Sequence, residues 1–135
     1  SFMGSDMSYE DMSSRPLNEF KFTIIGQVGY DSISCYLLES KPKEHILSEY
    51  SRHITWIDST LLIPLKEESY DKSDQLLKEK YFSYSIIKEY QILMKVHVTN
   101  IQKNHSTILN FENIELDTGV SDDLFHERYL KRLPK

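Results

Sequence analysis

From Phe20 onward, apolar and polar residues alternate with period two in about seven stretches, separated by turn-forming residues. Successive strand side chains point to opposite faces, so this alternation predicts half-buried β-strands. Phe20, Phe22 and Ile24 share one face of the first, Gly26 and Gly29 are bulge or turn points, and Tyr30-Asp31-Ser32 turns the chain. Ile33 to Ser40 returns as the second strand. Lys41-Pro42-Lys43 stops it, because proline brings no amide to a ladder and drives the preceding residue toward extended geometry. Glu44 to Tyr50 is expected to add a turn of helix. Arg52 to Asp58 is the third strand, with Ile54 and Trp56 on one face, and Asp58-Ser59-Thr60 forms a turn through side-chain to backbone bonds.

The next strand is expected over Leu61 to Tyr70, with Pro64 suited to a strand start or an edge. Residues 71–75 turn the chain into Leu76 to Ile87, rich in tyrosine, phenylalanine and isoleucine. Ile92 to Gln102 then sets Ile92, Met94, Val96 and Val98 against Lys95, His97 and Thr99. Beyond Lys103-Asn104-His105, Thr107, Leu109 and Phe111 alternate with Asn110 and Glu112. A bulge near Asn113 is needed to bring Ile114 and Leu116 back into phase.

The two ends change period. Residues 1–19 read as loop with a short helix, capped by Ser5 or Ser8 and favoured by Glu10 and Asp11 at its dipole. Ser121 caps a terminal helix over 121–132, with Asp122 and Asp123 in its first turn and Leu124, Phe125 and Tyr129 near one face. The whole is a mainly β chain, a single domain over 1–135 with antiparallel strands across 20–116. Short connections indicate a meander and one sheet with one apolar face. Each large apolar side chain gains roughly 1.5 to 3 kcal/mol by burial, so that face needs a cover: further sequence, a second copy, or a lipid.

Composition narrows the choice. The chain has 135 residues, 39% of them hydrophobic, which suits one core. A formal charge of -5 gives no general field for nucleic acid. Cys35 is the single cysteine, so neither an internal disulfide nor a cysteine-built zinc site is available. No run approaches the ~18 apolar residues of a spanning helix. The start, Ser1-Phe2-Met3, carries no signal-peptide pattern.

The pieces CYLLESKPK, the strand ending WID, STLLIPLKEESYDKSDQLLKE and ILNFENIELDTGVSDDLFHERYLKR, in this order, resemble the C-terminal half of the LolA-like outer-membrane lipoprotein-sorting protein family. The opening MGSDMSYEDM resembles that family's mid-domain segment. The resemblance implies a curved antiparallel sheet, or half-barrel, whose apolar concave face is lidded by helices and holds acyl chains. It further implies a periplasmic carrier or sensor with no enzymatic activity, made with a signal peptide in its full-length precursor. The family's N-terminal strands and helix have no counterpart here. The half-barrel is therefore expected to be incomplete, with edges open to self-pairing.

On that reading the lipid-binding residues are Phe22, Ile24, Leu37, Trp56, Met94, Val96, Val98, Leu109 and Phe111, each of which also suits an ordinary core. The five histidines, His45, His53, His97, His105 and His126, form no metal box. No metal and no cofactor is expected. Asp58, Glu67, Glu68 and Asp71 cluster around a hairpin, where beside Lys66 and Lys72 solvated pairing is expected in place of acid and base roles. No G-x-S-x-G elbow occurs, and four glycines leave no phosphate-cradling loop. Tyrosines beside Lys78, Lys80 and Lys88 fit a half-exposed strand better than stacking on single-stranded nucleic acid. The partners expected are lipid or lipoprotein acyl chains, cell-envelope transport proteins and a second copy of the chain, but not nucleic acid. The alternative function is an interaction module of a cell-envelope or export complex, using an edge strand or the terminal helix around Phe125, Tyr129 and Leu130.

Overall fold

The computed structural model describes residues 15–111. Seven strands follow one another: β1 (Phe20–Tyr30), β2 (Ile33–Pro42), β3 (Tyr50–Asp58), β4 (Pro64–Asp71), β5 (Leu76–Ile87), β6 (Tyr90–Asn100) and β7 (His105–Asn110). They form one antiparallel sheet in sequence order, with β1 and β7 as its edges among the described residues. The expected helical turn near the N-terminus, the bulge near Asn113 and the helix over 121–132 lie outside the described residues.

Each turn has a local cause. Asp31 and Ser32 both take positive φ, 49° and 65°, as do Lys88 and Glu89, at 51° and 71°. Two left-handed residues in a two-residue loop match the twist of the strands they join. Asp58 Oδ1 accepts the amides of Thr60 and Leu61, at 2.8 and 3.0 Å, and so closes the β3–β4 turn. Asp71 Oδ1 does the same for Ser73 and Gln75, both at 2.9 Å.

Two expectations need correction. Glu44 to Tyr50 makes no helix but a single turn, with the Ile46 amide on the Lys43 carbonyl at 3.0 Å. The fourth strand begins at Pro64 and not at Leu61, because Leu62 turns left-handed at φ 58° and its amide returns to Asp58.

Cross-strand partners share a face, so the register sorts the side chains. One face is the core. Leu38, Thr55, Glu67, Lys80, Val98 and Thr107 run across it in one row, with Ser40, His53, Ser69, Lys78 and Asn100 in the next. Val96 and Val98 are fully buried there, and Phe82, Leu93, Leu109 and Phe111 pack against them. The middle is ionic. Glu67 accepts two bonds from Arg15, at 2.6 and 2.9 Å, and one from the Thr55 hydroxyl at 2.7 Å, with Lys80 Nζ at 3.4 Å.

His53 Nδ1 lies 2.8 Å from Ser69 Oγ and 3.3 Å from Arg15. Burial alone would raise the Glu67 pKa. The adjacent charges of Arg15 and Lys80, with the Arg15 hydrogen bonds, hold it well below the ordinary carboxylate range. Glu67 is thus no solvated hairpin carboxylate, as its sequence neighbours suggested. Lys78 and Lys80 are likewise buried, at 5% and 0% exposure, and do not border an exposed strand.

Candidate functional site

The opposite face carries a row of aromatic and aliphatic side chains, and we refer to it as the trough. Five bulges, at Ile25, Ser51, Leu65, Leu77 and Met94, put an extra residue into one strand of a pair, bending it and increasing its twist. The Tyr30 hydroxyl is pushed up first by burial and by Asp31, then by Tyr81 four strands away, while Lys66 acts in the other direction. Tyr30 and Tyr81 lie on this same face of the sheet.

Leu37, Trp56, Lys66 and Tyr81 form one cross-strand row of the trough and are all half-buried. Lys66 Nζ sits 4.7 Å from the centre of the Trp56 ring and 5.5 Å from that of Tyr81. A cation over two aromatic faces fixes both rings and its own stem. Beside this row Cys35 and Ile54 are buried on the same face. Toward the other end of the strands the lining turns polar: Glu68 meets Lys66 at 3.5 Å and accepts the Tyr70 hydroxyl at 3.0 Å, and Arg52 covers the Tyr70 ring at 4.1 Å.

Burial and then Asp58 push the Cys35 thiol up, the reverse of what a nucleophilic cysteine needs. Burial pulls Lys66 down, but Tyr81, Glu68 and Glu79 outweigh it, so the ammonium keeps its proton more firmly than usual. Among the described residues, no three metal-ligating side chains gather.

The register divides the residues expected to bind lipid. Leu37 and Trp56 line the trough. Val96, Val98, Leu109 and Phe111 belong to the core on the other side, and Phe22 shares that side beside Phe20, ring centres 6.2 Å apart. Ile24, also on that side, is 60% exposed near the outer edge of the sheet. Met94 is the extra residue of the β6 bulge; it is half-buried, and its carbonyl accepts the Phe111 amide at 2.8 Å. The bulge also moves Ile92 out of phase with Val96, so that Leu93 pairs with Tyr84. One continuous apolar face was expected; the apolar residues are observed on both faces of the sheet. Sequence reasoning missed Tyr30, Lys66 and Tyr81. Their only signal was the shared phase with Trp56, which the bulge at Leu65 interrupts.

An unclosed antiparallel sheet of seven strands in sequence order has the LolA type of half-barrel fold. A family model described as "Uncharacterized protein" matches residues 1–132, and the chain belongs to that family. Solved structures share its fold. It is similar to a domain from Vibrio parahaemolyticus assigned to outer membrane lipoprotein sorting, with 31% identity and a TM-score of 0.80 over 98% of this chain and 57% of that one. It is also similar to a DUF1329 family protein from Desulfovibrio piger, with 30% identity and a TM-score of 0.78 over 98% of this chain and 55% of that one. A LolA superfamily protein from Nitrosomonas europaea shares the fold at 17% identity, TM-score 0.59, over 68% of this chain and 42% of that one. The chain thus spans little more than half the length of the first two. No curated protein matches it.

Proposed function

We propose that this chain belongs to a non-enzymatic periplasmic carrier that holds the acyl chains of a lipid or lipoprotein in the trough and hands them on. The observation that carries this reading is the trough itself, half-buried and lined by Leu37, Trp56 and Tyr81, in a chain similar to a lipoprotein-sorting domain. Acyl chains offer few hydrogen bonds and are held by apolar area, which an aromatic and aliphatic wall supplies. The core face has fully buried Val96 and Val98 and an ion-paired centre, so we place the acyl chain on the other side. The test is lipid extraction from protein purified from its source, with mass spectrometry, together with titration of a fatty-acyl probe. Co-purified lipid and saturable binding are expected; lipid-free and probe-inert protein overturns the reading. Fractionation of cells should find the protein in the periplasm, with a signal peptide in its precursor.

A second reading concerns β1. This edge strand has eleven residues and exposes Ile24, Ile25 and Val28, at 60%, 49% and 38%. Long apolar edges are templates for another strand. We propose that β1 receives a strand from a cell-envelope partner or a second copy. Ile25→Lys should abolish concentration-dependent association in light scattering; association that persists in the variant excludes β1 as the contact.

A further inference from the structure

His53 on β3 and Arg15, just ahead of β1, meet on the core face of the sheet, 38 residues apart in sequence. His53 is buried, at 1% exposure, and the ring of buried Tyr50 is centred 4.8 Å from its own. Its Nδ1 lies 3.3 Å from Arg15 Nη2 and 2.8 Å from Ser69 Oγ, while Glu67 Oε2 stands at 4.0 Å, beyond hydrogen-bond reach. A guanidinium only donates, so the nitrogen it meets has to accept. His53 is therefore neutral with its proton on Nε2, and the Ser69 hydroxyl donates to the same Nδ1.

Among the described residues, the charged groups around this ring are Arg15 ahead of β1, Glu67 on β4, and Lys78 and Lys80 on β5. Lys78 turns to Glu49 at 3.6 Å, and β2 and β6 bring only Ser40 and Asn100 to the row of His53. Both oxygens of Glu67 are already engaged, one by Arg15 and Thr55 and the other by Arg15 and Lys80. A proton on Nδ1 thus faces the Arg15 N–H directly and adds a positive charge where Arg15 and Lys80 already outnumber Glu67. Inside the protein such a charge is weakly screened.

We propose that His53 and Arg15 form an acid-released clasp. Neutral His53 holds Arg15, and with it the turn over residues 16–19, against the sheet; protonation of His53 lets that segment go. The Glu19 and Phe20 amides report the turn, since both bond to the Pro16 carbonyl, at 3.0 and 3.2 Å. The closed clasp excludes a proton from Nδ1, whereas the open one exposes an ordinary histidine, which takes up a proton near about pH 6.5. The open form binds more protons, so the clasp is firm at neutral pH and weakens as pH falls below that value.

The test is nitrogen NMR of the imidazole together with amide hydrogen exchange of the full chain at about pH 7.5 and about pH 5.5, corrected for intrinsic rates. At the higher pH, Nδ1 should appear unprotonated and Nε2 protonated. The Glu19 and Phe20 amides should exchange faster than the ladder amides of β6, and should lose about tenfold in protection at the lower pH. His53→Gln keeps an acceptor for Arg15 but does not titrate, so its protection should not fall with acid. Arg15→Met should show low protection already at the higher pH, with no further acid loss.

A proton on Nδ1 at neutrality overturns the clasp. So does an acid loss that survives in His53→Gln, which assigns it to another group, or an unchanged acid loss in Arg15→Met. Equal protection of Glu19, Phe20 and the β6 amides overturns it as well, because the segment then leaves only when the whole sheet unfolds. The measurements on the native chain decide where a variant does not fold.

Discussion

Arg15, just ahead of the first strand, lays both terminal guanidinium nitrogens on the carboxylate of Glu67 in the middle of β4, at 2.6 and 2.9 Å, across 52 residues of sequence. This fork joins the residues leading into β1 to the centre of the sheet. Removing one member leaves the other charge buried, which costs about 3–5 kcal/mol. Arg15→Met and Glu67→Gln should each lower stability in denaturant unfolding by about that amount. The double variant should be less destabilised than the sum of the two. Strict additivity would mean that the two groups do not act together.

Acid should unfold the protein by way of the same carboxylate. Glu67 has an ordinary value of 4.5 and is held well below it in the fold, after the opposing effect of burial, by Arg15 and Lys80. A depressed folded-state pKa gives stability that is complete above the unfolded value and is lost as pH falls through the folded one. Between neutrality and pH 5 this group should therefore leave stability flat. Below its ordinary value stability should fall, and Glu67→Gln should flatten that acid limb. An unchanged limb in the variant assigns acid unfolding to other carboxylates.

The two faces should separate stability from binding. Val98→Ala removes two methyl groups from a fully buried site on the core face and should cost about 2 kcal/mol while leaving acyl-probe affinity unchanged. Trp56→Ala opens the half-buried trough and should abolish probe binding at a smaller cost in stability. Binding lost in Val98→Ala with the fold retained would move the lipid to the core side.

The β1–β2 turn can be improved. Ser32 holds φ at 65°, and a left-handed residue with a Cβ costs roughly 1–2 kcal/mol, part of which glycine relieves. Ser32→Gly should raise stability by about 0.5–1 kcal/mol without affecting the trough. A loss of stability would show that the Ser32 side chain contributes more than its backbone strain costs.

Much of the sheet was legible in the chain. Leu76 to Ile87 is a strand between the bounds its composition indicated, and Val96 and Val98 stand opposite Lys95, His97 and Thr99 as their alternation requires. Alternation is a local property, set by the two-residue repeat of extended backbone. The Pro64 start was half legible: proline marked a strand beginning, yet only the left-handed Leu62 and its bond to Asp58 fixed where the turn ended.

The sequence by itself determined that there would be strands, their order, and an antiparallel meander, because hydrophobic period and turn chemistry act over a few residues. The tertiary structure decided which face each strand presents to its neighbours. Each bulge shifts the pairing by one residue, and a one-residue shift moves a side chain to the other side of the sheet. That is why Leu37 and Trp56 part from Val96 and Val98, and why Glu67, within a run of polar residues with no readable phase, lies at the buried centre. Burial of an ion that far from its partners in sequence depends on long-range register, and only the assembled sheet supplies it.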